Sequence, residues 1–301
     1  MSDPAELAST IADETSEVLI GMDTVVEQLT ISLLTRGHVL LEGVPGVAKT
    51  TLANAFARAS GLTFNRIQMT PDILPADITG ASIYRERTGE FEIRKGPIFD
   101  NVVVADEINR ATPKTQSALL EAMAENHVSI EGETLALPQP FLVIATQNPI
   151  ELEGTFELPE AQRDRFQQKI TVDLPDEDTE RTMLKRFGGS PATGPDTVEQ
   201  AVSPAEIVAA REAVTEINVE EAVHDYILAL VAATRDHADT AHGASPRGSL
   251  ALLRTAKARA AIQDRDYVLN DDVKELVKPV LRHRLVLTTD AGLSDVTPAD
   301  V

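Results

Sequence analysis

Cysteine is absent from all 301 residues. Disulfides, thiolate nucleophiles and thiolate-held zinc or iron–sulfur centres are therefore excluded. No apolar run reaches the roughly 18 residues of a membrane-spanning helix. The opening MSDPAELAST lacks a basic stretch followed by an apolar one, so no secretory signal is expected and a cytoplasmic location is. Lysine is scarce: 8 of 27 basic residues, against 48 acidic ones, for a net charge of −21. Sequence-independent binding of nucleic acid needs clustered Lys and Arg, so nucleic acid is not an expected partner. The acids are scattered, not massed in a tail. They fit a self-repelling soluble surface or, better, adaptation to a salt-rich cytoplasm where ions screen the repulsion. An apolar content of 43% is enough for a globular fold of one or two domains.

Residues 5–36 read as helical with a break at Ile20-Gly21-Met22-Asp23, Asp23 capping the second helix and Gly37 ending it. His38–Glu42 is a first strand, Leu52–Ala59 a helix stopped by Gly61, and Phe64–Met69 a second, buried strand. Ser82–Arg87 and Glu90–Arg94, joined at Thr88-Gly89, form a hairpin, and His127–Ile130 with Thr134–Leu137 form another around Glu131-Gly132-Glu133. Asn101–Ala105 and Phe141–Ala145 are buried strands, Thr112-Pro113 starts a helix, Pro159–Phe166 is helical, and Lys169–Val172 is the last strand. Strands alternating with helices imply an α/β fold, a parallel sheet sandwiched by helices, over residues 1–174. From Pro175 onward the periodicity is helical, so 175–301 is expected to be an all-helical domain containing the loop 188–195, with a frayed tail after Leu287.

The chemistry is concentrated in Gly43-Val44-Pro45-Gly46-Val47-Ala48-Lys49-Thr50, with Thr51 next. A strand, a glycine-rich turn and a helix start aim backbone N–H groups at one point, where a phosphate binds. Lys49 adds a full charge and Thr50 a hydroxyl suited to a magnesium ion. Glycine commonly precedes this lysine; Ala48 stands there instead and is expected to take an ordinary φ. Some 60 residues on, Val102–Ala105 ends at Asp106-Glu107. The first carboxylate can hold magnesium and the second can polarise a water. Asn148, after a strand, reads equally as a γ-phosphate contact and as an Asn-Pro turn. Of Arg163 and Arg165, one reads as a solvated helix residue and one as a cation reaching a neighbouring subunit's nucleotide. Arg247, one residue after Ser245-Pro246, lies at the wrong end of a helix dipole for a cation, a placement that a bound phosphate would favour.

Together these stretches resemble the AAA+ ATPases, and the MoxR family specifically. The resemblance rests on GHVLLEGVPGVAKTTLA (37–53), GPIF (96–99), DEINRATPKTQSALLEAM (106–123), ATQNPIELEGTFELPEAQRDRF (145–166) and GASPRG (243–248). Ala before the loop lysine is itself similar to that family. The resemblance implies a P-loop core with an all-helical lid, ATP and Mg2+ as cofactors, and the helix-2-insert clade. Residues 43–51 would cradle the phosphates, with Ile20 and Gly21 near the adenine. Thr50 and Asp106 would hold the metal, Glu107 would be the base, and Asn148 would be sensor 1. Arg165 would be the finger, in preference to Arg163, and Arg247 would be sensor 2. Gln68 would occupy the place of a residue that restrains Glu107. A homo-oligomeric, hexameric ring is implied, acting as a chaperone-like remodeller on a client protein complex with von Willebrand A-domain partners. With the acid excess, a halophilic archaeal source is expected. A magnesium-chelatase-like subunit and an MCM-like DNA motor share both hairpins; the acidic tip 131–133 disfavours the latter.

Overall fold

The alternation of side chains along three short strands organises the molecule. In the computed structural model, which describes residues 3–87, 89–149, 154–188 and 194–301, helices α1 (Pro4–Ser16) and α2 (Asp23–Leu34) lead into β1 (Val39–Gly43). Helix α3 (Lys49–Ala59), strand β2 (Phe64–Gln68) and a one-turn α4 (Pro75–Thr79) follow. Strands β3 (Gly80–Arg85) and β4 (Glu90–Lys95) form the first hairpin; its expected turn residue Thr88 lies outside the described residues. Next come β5 (Val102–Asp106), α5 (Pro113–Glu125), the hairpin β6 (His127–Ile130) with β7 (Glu133–Ala136), β8 (Leu142–Gln147), α6 (Glu160–Arg163) and β9 (Gln168–Val172). Five of the strands pair in parallel in the order β2-β5-β8-β1-β9.

Because neighbouring residues of a strand face opposite ways, β1, β5 and β8 feed two cores. Val39, Leu41, Val102, Val104, Leu142 and Ile144 pack on one side with α1, α2 and α3. Leu40, Val103, Ala105, Val143 and Ala145 pack on the other with α5 and Phe166. Both faces being covered explains why these strands read as unbroken apolar runs. His38 ties the layers together: its Nε2–H donates to the Met123 carbonyl (3.1 Å) and its Nδ1 accepts the Val143 N–H (3.0 Å). Burial pushes this imidazole down to about 4.

Beyond β9 the chain forms α7 (Glu177–Phe187), α8 (Pro204–Thr215), α9 (Glu221–Asp236), a short strand β10 (Thr240–His242), α10 (Pro246–Ile262), α11 (Asn270–Leu281), β11 (Val286–Leu287) and α12 (Thr289–Leu293). Residues 189–193 of the expected loop 188–195 lie outside the described residues. Ile207, Val223 and Leu252 from these helices join the same apolar cluster as β1 and α1. In this conformation the lid and the sheet share one core.

The structure corrects the sequence reading in several places. Phe64–Gln68 is an edge strand with only Ile67 buried, because among the described residues no strand lies beyond it. Asp23 is the first residue of α2 and Met22 occupies the cap position, with no side-chain cap bond. Arg36, not Gly37, takes the left-handed turn after α2 (φ 56°). Gly37 is needed for space instead, since a Cβ there would overlap Gln167. The helix expected over 159–166 is the single turn of α6, after which 164–167 runs irregularly into β9. The tail is not frayed: β11 pairs antiparallel with β10, and Thr288 caps α12, whose Ala291 is buried.

Candidate active site: a phosphate loop and an arginine cleft

A parallel sheet brings all its carboxyl-terminal strand ends to one edge. Gly43, Asp106 and Gln147 end β1, β5 and β8 there, and the loop 43–50 lies between β1 and the start of α3. Gly43 permits the approach of β9, because a Cβ would stand 2.6 Å from the Val172 carbonyl. Gly46 turns with φ +90°. Ala48, expected in an ordinary conformation, is left-handed instead (φ 57°, ψ 29°). The loop must reverse into α3 at that residue, and the turn geometry overrides the preference of a Cβ-bearing residue. Lys49 folds back so that its ammonium donates to the carbonyls of Gly43 and, over 3.1 Å, Val44. Burial lowers its pKa, while the carboxylates of Asp106, Glu107 and Glu42 pull the other way.

Pro45–Thr51, Asp106, Glu107, Thr146, Gln147 and Asn148 line one cleft of about 460 Å³. Asp106 is held on both oxygens. Thr146 Oγ1 donates to Oδ1 (2.5 Å), and Arg66 donates to Oδ2 from Nε (3.0 Å) and Nη2 (2.5 Å). Glu107 leaves the strand with φ 57°, and its N–H donates to Thr146 Oγ1 (2.9 Å). Its Oε2 accepts from Gln68 Nε2 (2.8 Å) and Arg110 Nη1 (3.2 Å). Asn148 is 7% exposed and lies in the same cleft. A second cavity, of about 970 Å³, continues from the loop. Gly46, Val47, Ala48 and Thr51 border both spaces, and Ile20, Gly21, Val172, Thr179 and Met183 line the second. Gly21 (φ +74°) leaves room for Thr179, which a Cβ would meet at 2.9 Å. The exposed apolar Leu184 of α7 stands at this cavity. Lys49, Thr50, Asp106 and Glu107 line the first space, which suits phosphates; Leu19, Ile20, Val172 and Met183 line the second, which suits a base.

The donor set fits a magnesium nucleotide. A helix start and an ammonium face the cleft, and a hydroxyl (Thr50) and a carboxylate (Asp106) line it. Among the described residues, no group of three or more His, Cys, Asp or Glu could hold a metal. An ion here would therefore draw most of its ligands from phosphate and water, as Mg2+ does.

Arg165 and Arg247 are brought together, away from Lys49. They line a separate cleft of about 440 Å³ with Asp164, Arg254 and Arg284. Arg247 Nη1 lies 3.8 Å from Asp164 Oδ2. Arg165 Nη1 donates to the Leu120 carbonyl (2.6 Å). Arg163 is on α6, its Nε buried with no hydrogen-bond partner among the described residues. Residues 150–153 of the stretch 145–166 lie outside the described residues. Sequence reasoning missed Arg66, Arg110 and Thr146. Arg66 and Gln68 share one face of β2 at spacing two, a signal visible only once that strand is known to lie beside β5.

A sheet of this order, a phosphate loop after β1 and a helical lid define a P-loop protein of the AAA class. Comparison agrees: residues 38–168 match the ATPase family associated with various cellular activities (AAA), and residues 232–301 match the AAA lid domain. The chain is 47% identical to the chaperone MoxR1 of Mycobacterium tuberculosis over 95% of this chain and 77% of that protein. It is 36% identical to the protein MoxR of Paracoccus denitrificans over 90% and 86% of the two chains. A crystal structure from Cytophaga hutchinsonii, described as a candidate ATPase, superposes with a TM-score of 0.90 at 40% identity, covering 98% of this chain and 91% of that one. The chain belongs to the MoxR family of AAA+ ATPases.

Proposed function

We propose that this chain hydrolyses ATP at a site shared between copies of itself in a ring, with six copies implied by its family resemblance. One observation carries the reading. Among the described residues the phosphate cleft is lined by a base and a polar sensor and by no arginine, Arg66 and Arg110 being paired with its two acids, while Arg165 and Arg247 lie together in a second cleft. Each looks like half of a site.

Within one subunit, Lys49 and backbone N–H groups among residues 43–51, Pro45 excepted, would hold the phosphates, and the cavity at Ile20 and Gly21 would take the base. Thr50 and Asp106 would hold Mg2+, which when bound would neutralise charge along the phosphates. Glu107 accepts a proton from the attacking water, and Asn148 orients that water. Gln68, 2.8 Å from the carboxylate, restrains Glu107 until nucleotide reorganises the site. The partner's Arg165 and Arg247 stabilise the charge that develops on the γ-phosphate. The division of labour goes with two units of the chain, 1–174 with both hairpins and 175–301 as the lid.

Turnover drives the hairpins against a client protein complex, assisted by a von Willebrand A-domain protein, in the manner of a chaperone. The β3–β4 hairpin supports this role, exposing Ile83, Tyr84 and Phe91, with Tyr84 and Phe91 rings 5.2 Å apart. A DNA motor is disfavoured by the acidic β6–β7 turn at Glu131 and Glu133, and a chelatase subunit would require a tetrapyrrole-binding partner. The acid-rich surface supports work in a salt-rich, halophilic cytoplasm. Among the described residues, no helix is long and apolar enough to cross a membrane. The test is magnesium-dependent ATP hydrolysis. Glu107→Gln should keep ATP binding and lose turnover; unchanged turnover in that variant would remove Glu107 from the mechanism.

A further inference from the structure

We infer that Arg284 is a positioning residue which presents Arg165 from the lid of the same chain. The inference rests on the reading that Arg165 serves a neighbour's nucleotide. Residues 164–167 lie between the single turn of α6 and the first residue of β9, without a helix or strand ladder of their own. Their carbonyls must find donors elsewhere. His283 and Arg284, just after α11, supply them for Asp164, Phe166 and Gln167. Arg284 donates from Nη1 to the Asp164 carbonyl (2.9 Å) and carboxylate, and from Nη2 to the Phe166 carbonyl (2.7 Å). His283 Nε2 donates to the Phe166 carbonyl (2.9 Å). Arg282 closes the row by donating to the Lys169 carbonyl on β9, the sheet's edge strand (3.1 Å from Nε).

The residues on either side of Arg165 are thus both held by one guanidinium, whose side chain is 3% exposed. Asp164 has a second tie to the lid: Ser245 Oγ, at the cap of α10, donates to its Oδ2 (3.2 Å), beside Arg247. The backbone that aims Arg165 is consequently fixed to two lid segments, and its aim follows the lid. A planar fork is needed for this, because one group must span the carbonyls of Asp164 and Phe166; a lysine ammonium keeps the charge and loses the span.

The experiment uses full-length chains. Arg284→Lys should bind a fluorescent ATP analogue as the unaltered protein does, yet turn over roughly 10- to 100-fold more slowly, the size of effect expected when a catalytic group is displaced. Mixed with Lys49→Ala, which cannot use its own phosphate cleft but carries an intact Arg165, it should recover activity above the sum of the two separate proteins. A merely misfolded subunit would not recover. Arg165→Ala mixed with Lys49→Ala is the control. Failure of both mixtures overturns the shared-site reading and this inference with it. Failure of the Arg284→Lys mixture alone, or unchanged turnover by Arg284→Lys, overturns the inference and leaves the shared site standing.

Discussion

Thr146 Oγ1 donates to Asp106 Oδ1 and accepts the N–H of Glu107, so one hydroxyl joins the two acids of the site. Thr146→Val keeps the shape and leaves both partners without their bond. An unmet buried polar group costs about 1–3 kcal/mol, so turnover should fall roughly 10- to 100-fold. Thr146→Ser should retain most of it. Steady-state ATPase assays on the two variants decide the matter, and equal rates would show that the hydroxyl is dispensable.

Ala48 should be replaceable by the glycine that commonly stands before the loop lysine. Its left-handed conformation costs an alanine about 1–2 kcal/mol, while glycine brings an entropic penalty of about 0.5–1 kcal/mol. Ala48→Gly is therefore expected to stabilise the fold by roughly 0.5–1 kcal/mol with ATP affinity preserved. Ala48→Val should destabilise it, since a branched side chain tolerates that conformation least. Denaturant titration measures both.

The main outlines of this site could be read in the sequence because they depend on local order. A strand, a glycine turn and Lys49-Thr50 are contiguous, and Asp106-Glu107 ends an apolar run. The pairing of Arg66 with Asp106 and of Gln68 with Glu107 depends on β2 lying beside β5, which no spacing within β2 reveals. The exposure of β2 is hidden for the same reason: its composition does not say that it is an edge. Ala48 is left-handed against the preference of its side chain because the turn into α3 constrains it, and that turn is not visible in the residue type. The short β10–β11 pair and α12 escaped notice because two- to five-residue elements lack a periodicity to detect.

His38 makes stability depend on acid. Its imidazole falls from 6.5 to about 4 on burial, so the unfolded chain binds a proton that the folded one refuses between those values. The contribution is fully present above pH 6.5 and is lost as pH falls towards 4, amounting to roughly 3 kcal/mol. His283, also buried and lowered, acts in the same direction. Denaturation curves at pH 7 and pH 5 should show the loss, and His38→Gln should reduce it. An identical pH dependence in that variant would exclude His38 as a source.

In the proposed mechanism ATP is hydrolysed between subunits, by Lys49, Asp106 and Glu107 of one chain and Arg165 of the next. Lys49→Ala and Arg165→Ala should each be inactive alone, for the first lacks a phosphate cleft and the second lacks the cation it lends. The direct measurement is ATP turnover after co-assembly of the two variants. Activity well above that of either variant alone is predicted, because some interfaces then pair an intact cleft with an intact arginine. A mixture as inactive as its components would contradict the account.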